Sequence, residues 1–238
     1  YDESVFSIGQ KLVTKLFNAS KFVLLQIQEA QPFSPDQIVM PLDQAFVYEL
    51  TEVIKKSSQA MDVFDYAAAL EATEGAFWRF CDHYIELVKV RAYREEDLTK
   101  RQSALATLEW SLSVFLRLFA PFVPYVTEEV WSWKYTSLSP SVHQAFWPVV
   151  SEVSASSDRA GLFESAMDVM SQIRGAKSLA QKNMKHPVAH LKITCTDSEA
   201  SHIQQVMPDI LMAGSVTEHE MAILNGSESI LVEAQLAV

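Results

Sequence analysis

The sequence predicts a mainly α-helical fold, in which a helical bundle is followed by a small α+β unit. Between Pro41 and Pro121 the chain has no proline and only one glycine, Gly75, which favours long helices over strands and tight turns. Apolar residues recur at steps of three and four, as on the buried face of a helix. In the first segment they are Val5, Ile8, Leu12, Leu16, Ala19 and Val23. After residue 135 this period is lost, and a later segment alternates apolar and polar residues.

The helical period predicts four long helices, at residues 4–29, 42–58, 61–93 and 97–120. Near their starts stand Asp43, Asp62 and Thr99, which are predicted as N-caps. A shorter helix over 127–134 follows Pro124, and its acidic first turn suits the positive end of a helix dipole.

The second unit begins after a segment rich in Ser and Pro, residues 135–160, which is predicted as a linker. We therefore expect a bundle over 1–150 and an α+β subdomain over 151–238. The elements predicted for the subdomain are a helix over 162–181, a strand over 190–195, a helix over 198–206 and two or three further short strands, the clearest at 229–233.

Composition excludes several classes of protein. Nearly half of the 238 residues are hydrophobic (49%), so the chain is not disordered, and two cysteines do not make a disulfide scaffold. The formal charge of −11 argues against a general nucleic-acid coat, because phosphate binding is mostly cationic. The longest apolar stretch, 112–126, is interrupted by Arg117 and two prolines, and no signal peptide opens the chain. We expect a cytoplasmic location and no membrane partner.

Most catalytic and metal sites are excluded for want of residues. The six glycines are too scattered to form a phosphate-binding loop. The pair His219-Glu220 lacks the second histidine of a zinc-protease helix, because that position holds Ile223. Adjacent residues of a helix do not face each other, so Cys81 is predicted in the core, and Asp82 and His83 on a partly exposed face. We expect no catalytic residue and no metal ligand.

Positive charge is concentrated where acids are absent. No acid lies between Glu3 and Glu29, and there Lys11, Lys15 and Asn18 follow i, i+4, i+7 spacing on one helix face, with Lys21 beside them. A second acid-free window holds Arg174, Lys177, Lys182 and Lys185. A third cluster, around Lys89 and Arg91, is diluted by acids. Each of these three clusters could be an ordinary solvated helix face. Alternatively, it could be a surface that binds a polyanion.

Three blocks resemble a known family. Residues 16–23 (LFNASKFV) resemble the Asn-Ala-x-Arg/Lys-Phe signature of the anticodon-binding helical domain in class I aminoacyl-tRNA synthetases for branched aliphatic amino acids. Residues 80–89 (FCDHYIELVK) are similar to a segment typical of the valine branch. Residues 115–131 (FLRLFAPFVPYVTEEVW) resemble the Pro-Phe-x-Pro-Phe-x-Thr-Glu-Glu-x-Trp block, and 146–148 (FWP) fall where the family has Trp-Pro.

The resemblance implies a role and also a gap. It implies that the chain binds the anticodon stem-loop of tRNA(Val) as a part of a valine–tRNA ligase, beside catalytic and editing domains of the same parent chain. The nucleotide-binding signatures of the catalytic domain are absent from these residues. We therefore expect no ligase activity from this fragment and no cofactor in it, with ATP used by the parent enzyme.

For contacts with RNA, the resemblance and the charge pattern together predict Lys11, Lys15 and Lys21 at phosphates and Asn18 and Phe46 at bases. Arg91 and Arg174 are further candidates. Asn18 could equally tie two helices together, and Phe46 could equally belong to the core. Trp78 and Asp82 are predicted to be architectural.

Two other functions stay open. The chain could be the matching domain of an isoleucine or leucine tRNA ligase, which the retained tRNA would reveal. It could instead be a helical protein-interaction module whose apolar faces recruit partner helices.

Overall fold

The computed structural model describes residues 3–28, 33–94, 96–224 and 229–237, and it has the predicted architecture. The helices are α1 (Glu3–Ile27), α2 (Pro41–Asp62), α3 (Tyr66–Arg79), α4 (Ile85–Arg94), α5 (Leu98–Phe119), α6 (Pro124–Lys134), α7 (Leu162–Leu179) and α8 (Asp197–Gly214). The strands are β1 (Val188–Cys195), β2 (Val216–Ile223) and β3 (Leu231–Leu236). A mainly α bundle followed by a small α+β part is confirmed.

Helix α5 is the centre of the bundle. Every residue from 103 to 119 except Arg117 is buried, because α1, α2, α3, α4 and α6 all pack against this helix. A helix buried on all sides needs no polar face, which explains why most residues of this stretch are apolar, with Glu109 and a few hydroxyls as the exceptions. Thr107 satisfies its hydroxyl inside the helix by donating to the Ser103 carbonyl at 2.9 Å.

The predicted helix over 61–93 is two helices joined by a π-helical turn, Phe80–Tyr84. Helix α3 begins only at Tyr66, because Phe64 has a positive φ of 62° and Asp65 caps the new helix through the Ala68 amide. In the π-helical turn the Ile85 amide bonds to the Phe80 carbonyl, five residues back. The turn buries Cys81 and leaves Asp82 exposed, as predicted for both.

All three predicted N-caps are wrong. Helix α2 begins with Pro41 at its first position, where a missing amide hydrogen does no harm, so Asp43 lies inside the helix. Asp62 is the last residue of α2 rather than the start of the next helix. For α5 the cap is Asp97, whose carboxylate accepts from the Thr99 and Lys100 amides.

The α+β part is a three-stranded sheet in the order β2-β1-β3 with helices α7 and α8 packed against it. Strand β1 pairs parallel with β2 and antiparallel with β3. Helix α8 connects β1 to β2. The predicted strand over 190–195 is confirmed with two more residues at its start, and the helix predicted over 198–206 extends to Gly214. Of the strand predicted at 229–233, β3 contains residues 231–233.

A buried ion cluster ties the two parts together. The Arg91 guanidinium on α4 donates two bonds of 2.7 Å to Asp43 on α2 and one of 2.8 Å to Asp209 on α8. Asp43 also accepts from the Tyr84 hydroxyl and from Ser103. Helix α2 packs directly on α7 and α8, and α4 packs on α8, so one core continues across residue 150. The domain boundary at 150 stays a prediction from composition.

Candidate nucleic-acid interface

Helix α1 presents the predicted cationic residues on its solvent side. Leu12, Leu16 and Val23 are buried against the bundle, which leaves Lys11 and Asn18 exposed on the other side. Lys15 lies at the edge of this surface and is half-buried. The spacing seen in the sequence therefore places a lysine–asparagine face where a ligand could reach it.

Lys15 is held against the π-helical turn. Its Nζ lies 2.7 Å from Asp82 Oδ1 and 5.5 Å from the centre of the Trp78 ring. Burial by itself would lower the pKa of Lys15, but the hydrogen bond and the charge of Asp82 raise it above the ordinary value. The lysine therefore stays charged, and it is oriented by a carboxylate and an aromatic face.

Arg174 of α7 reaches the same place from the other end of the sequence. Its Nη1 donates to the Asp82 carbonyl at 2.8 Å, so the side chain and the backbone of Asp82 bind cations from two different helices. The first two acid-free windows of the sequence thus meet at the π-helical turn. Lys15, Asp82 and Arg174 form what we call the cation pair site.

His83 lies next to this site with an unsatisfied nitrogen. Its Nδ1 is buried and has no hydrogen-bond partner among the residues that the structure describes. Burial lowers the pKa of His83, and the charge of Arg174 lowers it further. The imidazole is therefore neutral at pH 7, with hydrogen-bonding capacity in reserve.

Lys21 lies on the opposite flank of α1, toward α6, and not beside Lys15. Its Nζ is 5.4 Å from the centre of the Phe17 ring, which meets Trp133 edge-on at 5.3 Å. A shallow groove of about 540 Å³ opens here, and Leu24, Leu25 and Lys134 share its lining with Lys21 and Trp133. The exposed side of α1 is thus bordered by a cation–aromatic pair on each flank.

Two predicted RNA contacts are wrong. Phe46 is only 2% exposed, and it stacks on Tyr84 at 4.3 Å and on Phe80 at 5.6 Å, so it belongs to the core. Arg91 is 1% exposed and is held by Asp43 and Asp209. Neither side chain can meet RNA without opening the core. The sequence pattern could not separate them from surface residues, since an aromatic on a periodic face and an arginine near acids suit both places.

One cation of the second acid-free window is buried and does not belong to the exposed surface. Lys177 is 1% exposed, and its Nζ donates to the Met184 and Gly214 carbonyls, so it ties the end of α7 to the segment that follows it and to the end of α8. Lys182 and Lys185 are exposed. Arg174 is half-buried and keeps its guanidinium at the π-helical turn.

Sequence reasoning underrated Trp78, Asp82 and His83. Trp78 and Asp82 were predicted to be architectural, yet both contact Lys15 directly. The only signal was the Phe-Cys-Asp-His-Tyr run, which coincides with the π-helical turn. Such turns are enriched at functional sites, but they have no simple residue pattern.

The described part of the chain has neither a metal-binding cluster nor a membrane-spanning helix. No group of three or more His, Cys, Asp or Glu side chains there could hold a metal ion. No helix in the same residues has the length and apolar character that a membrane span requires.

The fold agrees with a comparison to known proteins. Residues 43–193 match the family described as the anticodon-binding domain of tRNA ligase. Since this match covers more than half of the chain, the chain belongs to that family.

The curated relatives narrow the class. The chain is 38% identical over 238 residues to the valine–tRNA ligase of Cutibacterium acnes, covering 99% of this chain and 26% of the relative. It is 39% identical to those of Leifsonia xyli and Thermobifida fusca, over 89% and 91% of this chain and 24% of each relative. The chain thus spans about a quarter of the length of the relatives it matches.

Proposed function

We propose that this chain is the anticodon-binding part of a valine–tRNA ligase and that it binds the anticodon stem-loop of tRNA(Val) along α1 and the π-helical turn. The observation that carries the proposal is the convergence of Lys15 and Arg174 at Asp82, because these cations come from acid-free windows about 160 residues apart. The overall charge of −11 disfavours RNA elsewhere on the surface.

Residues of different types would make different contacts with the RNA. Lys11, Lys15, Lys21 and Arg174 neutralise backbone phosphates and set the register of the RNA. Asn18 offers both a donor and an acceptor from an exposed position, which suits the edge of an unstacked base.

This assignment gives the chain a binding role and no bond-making step. The catalytic domain of the parent chain would use ATP and valine, and the anticodon contacts would help to place the tRNA for it. A cytoplasmic location goes with this role and stays a prediction.

The first experiment is a filter-binding titration with transcripts of tRNA(Val) carrying the native or a swapped anticodon. The chain should prefer the native anticodon, because base edges carry sequence information and phosphates do not. Equal retention of both transcripts would contradict anticodon reading. Preferential retention of tRNA(Ile) or tRNA(Leu) would move the chain to a neighbouring branch of the family.

The second experiment changes charge without touching the core. Lys11→Glu with Lys21→Glu should abolish retention, since the two lysines are exposed and neither forms a salt bridge among the described residues. The matched control is Lys55→Glu with Lys56→Glu on α2, which changes the charge equally and should retain tRNA better. A protein-interaction module would keep its protein partner in both variants. With about four phosphates neutralised, log K against log salt should have a slope of about −3 to −4.

A further inference from the structure

The two outer edges of the three-stranded sheet differ in how their backbone groups are satisfied. At the β3 edge, the side-chain amide of Gln172 on α7 donates to the Ile230 carbonyl at 2.8 Å and accepts from the Val232 amide at 2.9 Å. An amide side chain has the same donor and acceptor as a peptide group, so Gln172 binds β3 as a further strand would. The start of the β3 edge is therefore already occupied.

The β2 edge is open. Strand β2 is the outer strand in the order β2-β1-β3, and within the described part of the chain no group hydrogen-bonds to its outer side. Residues 217–220 of this strand are all exposed. About half of the backbone amides and carbonyls of an edge strand point away from its neighbour, and they form a template for another strand. The β2 edge therefore has the backbone groups that strand addition requires.

One face of this edge is acidic. Glu218 and Glu220 are exposed, and Glu220 pairs in register with Lys192 of β1, whose Nζ lies 3.9 Å from its carboxylate. Helices α7 and α8 cover the other face of the sheet, where Ile193 is fully buried. Residues two apart in a strand lie on the same face, so an added strand would meet two carboxylates at alternate positions on the uncovered face.

The helix side of the same edge is apolar at its end. Met221 and Ile223 pair in register with Ile193 and Cys195, which are fully buried, so they lie on the side that the helices cover. Ile223 is nevertheless 55% exposed, because no strand lies beyond β2 in the described residues. Apolar side chains of an added strand would remove this surface from water.

We propose that β2 accepts an extended protein segment as a fourth strand, and that this segment alternates basic with apolar residues. Its Lys or Arg side chains lie beside Glu218 and Glu220, where cross-strand pairs of opposite charge are favourable, and its apolar side chains cover Met221 and Ile223. A second copy of this chain does not fit, because two β2 strands paired at their centres would set glutamates against glutamates. The proposal goes beyond RNA binding, since both carboxylates repel a polyanion.

The test uses a fluorescein-labelled peptide as long as β2, in which lysine and valine alternate. Fluorescence anisotropy at low salt measures its affinity for the chain. We expect it to bind about tenfold more tightly than a peptide of alternating glutamate and valine, because attractive cross-strand charge pairs are replaced by repulsive ones. No binding of the lysine–valine peptide, or equal affinity of the two peptides, would overturn the proposal.

Two methylated peptides separate strand pairing from a general attraction to an acidic chain. In an extended strand the backbone amides of alternate residues point to the same side, so all lysine amides face one side and all valine amides the other. N-methylation of the set that faces β2 should abolish binding, because those amides can no longer donate, and N-methylation of the other set should leave binding largely intact. Equal effects of the two methylations would contradict strand addition.

Variants of the chain then locate the peptide. Glu218→Gln with Glu220→Gln should weaken binding of the lysine–valine peptide about fivefold, because two cross-strand charge pairs are lost. The matched control is Glu71→Gln with Glu233→Gln, which changes the net charge equally at exposed positions on α3 and β3 and should have little effect. An equal loss in both double variants would mean that only net charge attracts the peptide, and it would overturn the assignment to β2. The tRNA-retention experiment concerns lysines of α1, so the two proposals fail separately.

Discussion

At the scale of single residues, Arg91 shows how burial reverses the meaning of a charge. In the sequence it belongs to a basic cluster, but in the structure it is enclosed by two carboxylates and by the Lys100 carbonyl, which accepts from it at 3.0 Å. Burial would lower the pKa of Arg91, and the charges of Asp43 and Asp209 raise it. The group is thus a permanent cation that holds α2, α4 and α8 together.

Removal of that cation should be costly. Arg91→Met leaves two buried carboxylates without their partner, and we expect a loss of about 3–5 kcal/mol in the free energy of unfolding. Lys89→Met removes an exposed cation paired with Glu86 on the same helix and should cost less than about 1 kcal/mol. Urea denaturation of both variants checks this. Similar small losses in the two would mean that the buried cluster contributes little.

Burial also sets the reactivity of Cys81. It raises the pKa of this thiol to about 12, far above that of an exposed cysteine, so the native thiol stays protonated at pH 8 and should resist alkylation. In urea it should react quickly. The same shift predicts lower stability at high pH, because above about pH 9 the unfolded chain releases a proton that the folded chain keeps until about pH 12. Mass spectrometry after iodoacetamide treatment measures the first effect; equal labelling rates with and without urea would contradict it.

At the scale of elements, regular helices were predictable from the sequence and their ends were not. The apolar period gave α1 and α2 within a few residues, because one face of each meets the core. The predicted bounds of α5 are equally near, although this helix is buried on all sides. The break between α2 and α3 at Phe64 could not be predicted, because a bulky residue with positive φ is rare and the sequence Val63-Phe64-Asp65 contains no turn signal. The extra residue of the π-helical turn was hidden for the same reason: it changes the hydrogen-bond ladder and not the composition.

The N-cap residue of α5 in the structure differs from the one that the sequence predicts. The structure assigns the cap of α5 to Asp97, and the sequence favoured Thr99. We expect Asp97→Ala to lower the free energy of unfolding by about 1 kcal/mol, because two first-turn amides lose their acceptor. Thr99→Ala should be close to neutral. A larger effect at Thr99 than at Asp97 in chemical denaturation would restore the sequence-based assignment.

At the scale of the whole molecule, the fold class and the general location of the candidate site could be predicted, and its full membership could not. Charge windows gave Lys11, Lys15, Asn18 and Arg174 on accessible or partly accessible surface. They also gave Lys177, which the structure buries. Whether a cation faces solvent or a buried carbonyl depends on contacts such as Lys177 with Gly214, 37 positions apart, and no local pattern reports them.

The continuous core predicts a single unfolding event. All five tryptophans lie between residues 78 and 147, so their fluorescence reports the bundle alone. Ile193 is fully buried in β1, and Ile193→Ala should cost about 2–4 kcal/mol. We expect the tryptophan midpoint in urea to fall with it, although no tryptophan is nearby in the sequence. Thr194→Ala, on the half-exposed side of the strand, is the control. A tryptophan midpoint unmoved by Ile193→Ala would mean that the two parts unfold independently.

The π-helical turn also fixes the rotational phase of α4 relative to α3. One residue corresponds to about 100° of rotation in an α-helix, so deletion of one residue from 80–84 would turn all of α4 by that angle. Trp78, before the turn, would still face Lys15, but Arg91, after it, would point away from Asp43 and Asp209. A single inserted residue therefore sets the angle between Trp78, which contacts Lys15, and Arg91, which joins the two parts of the chain.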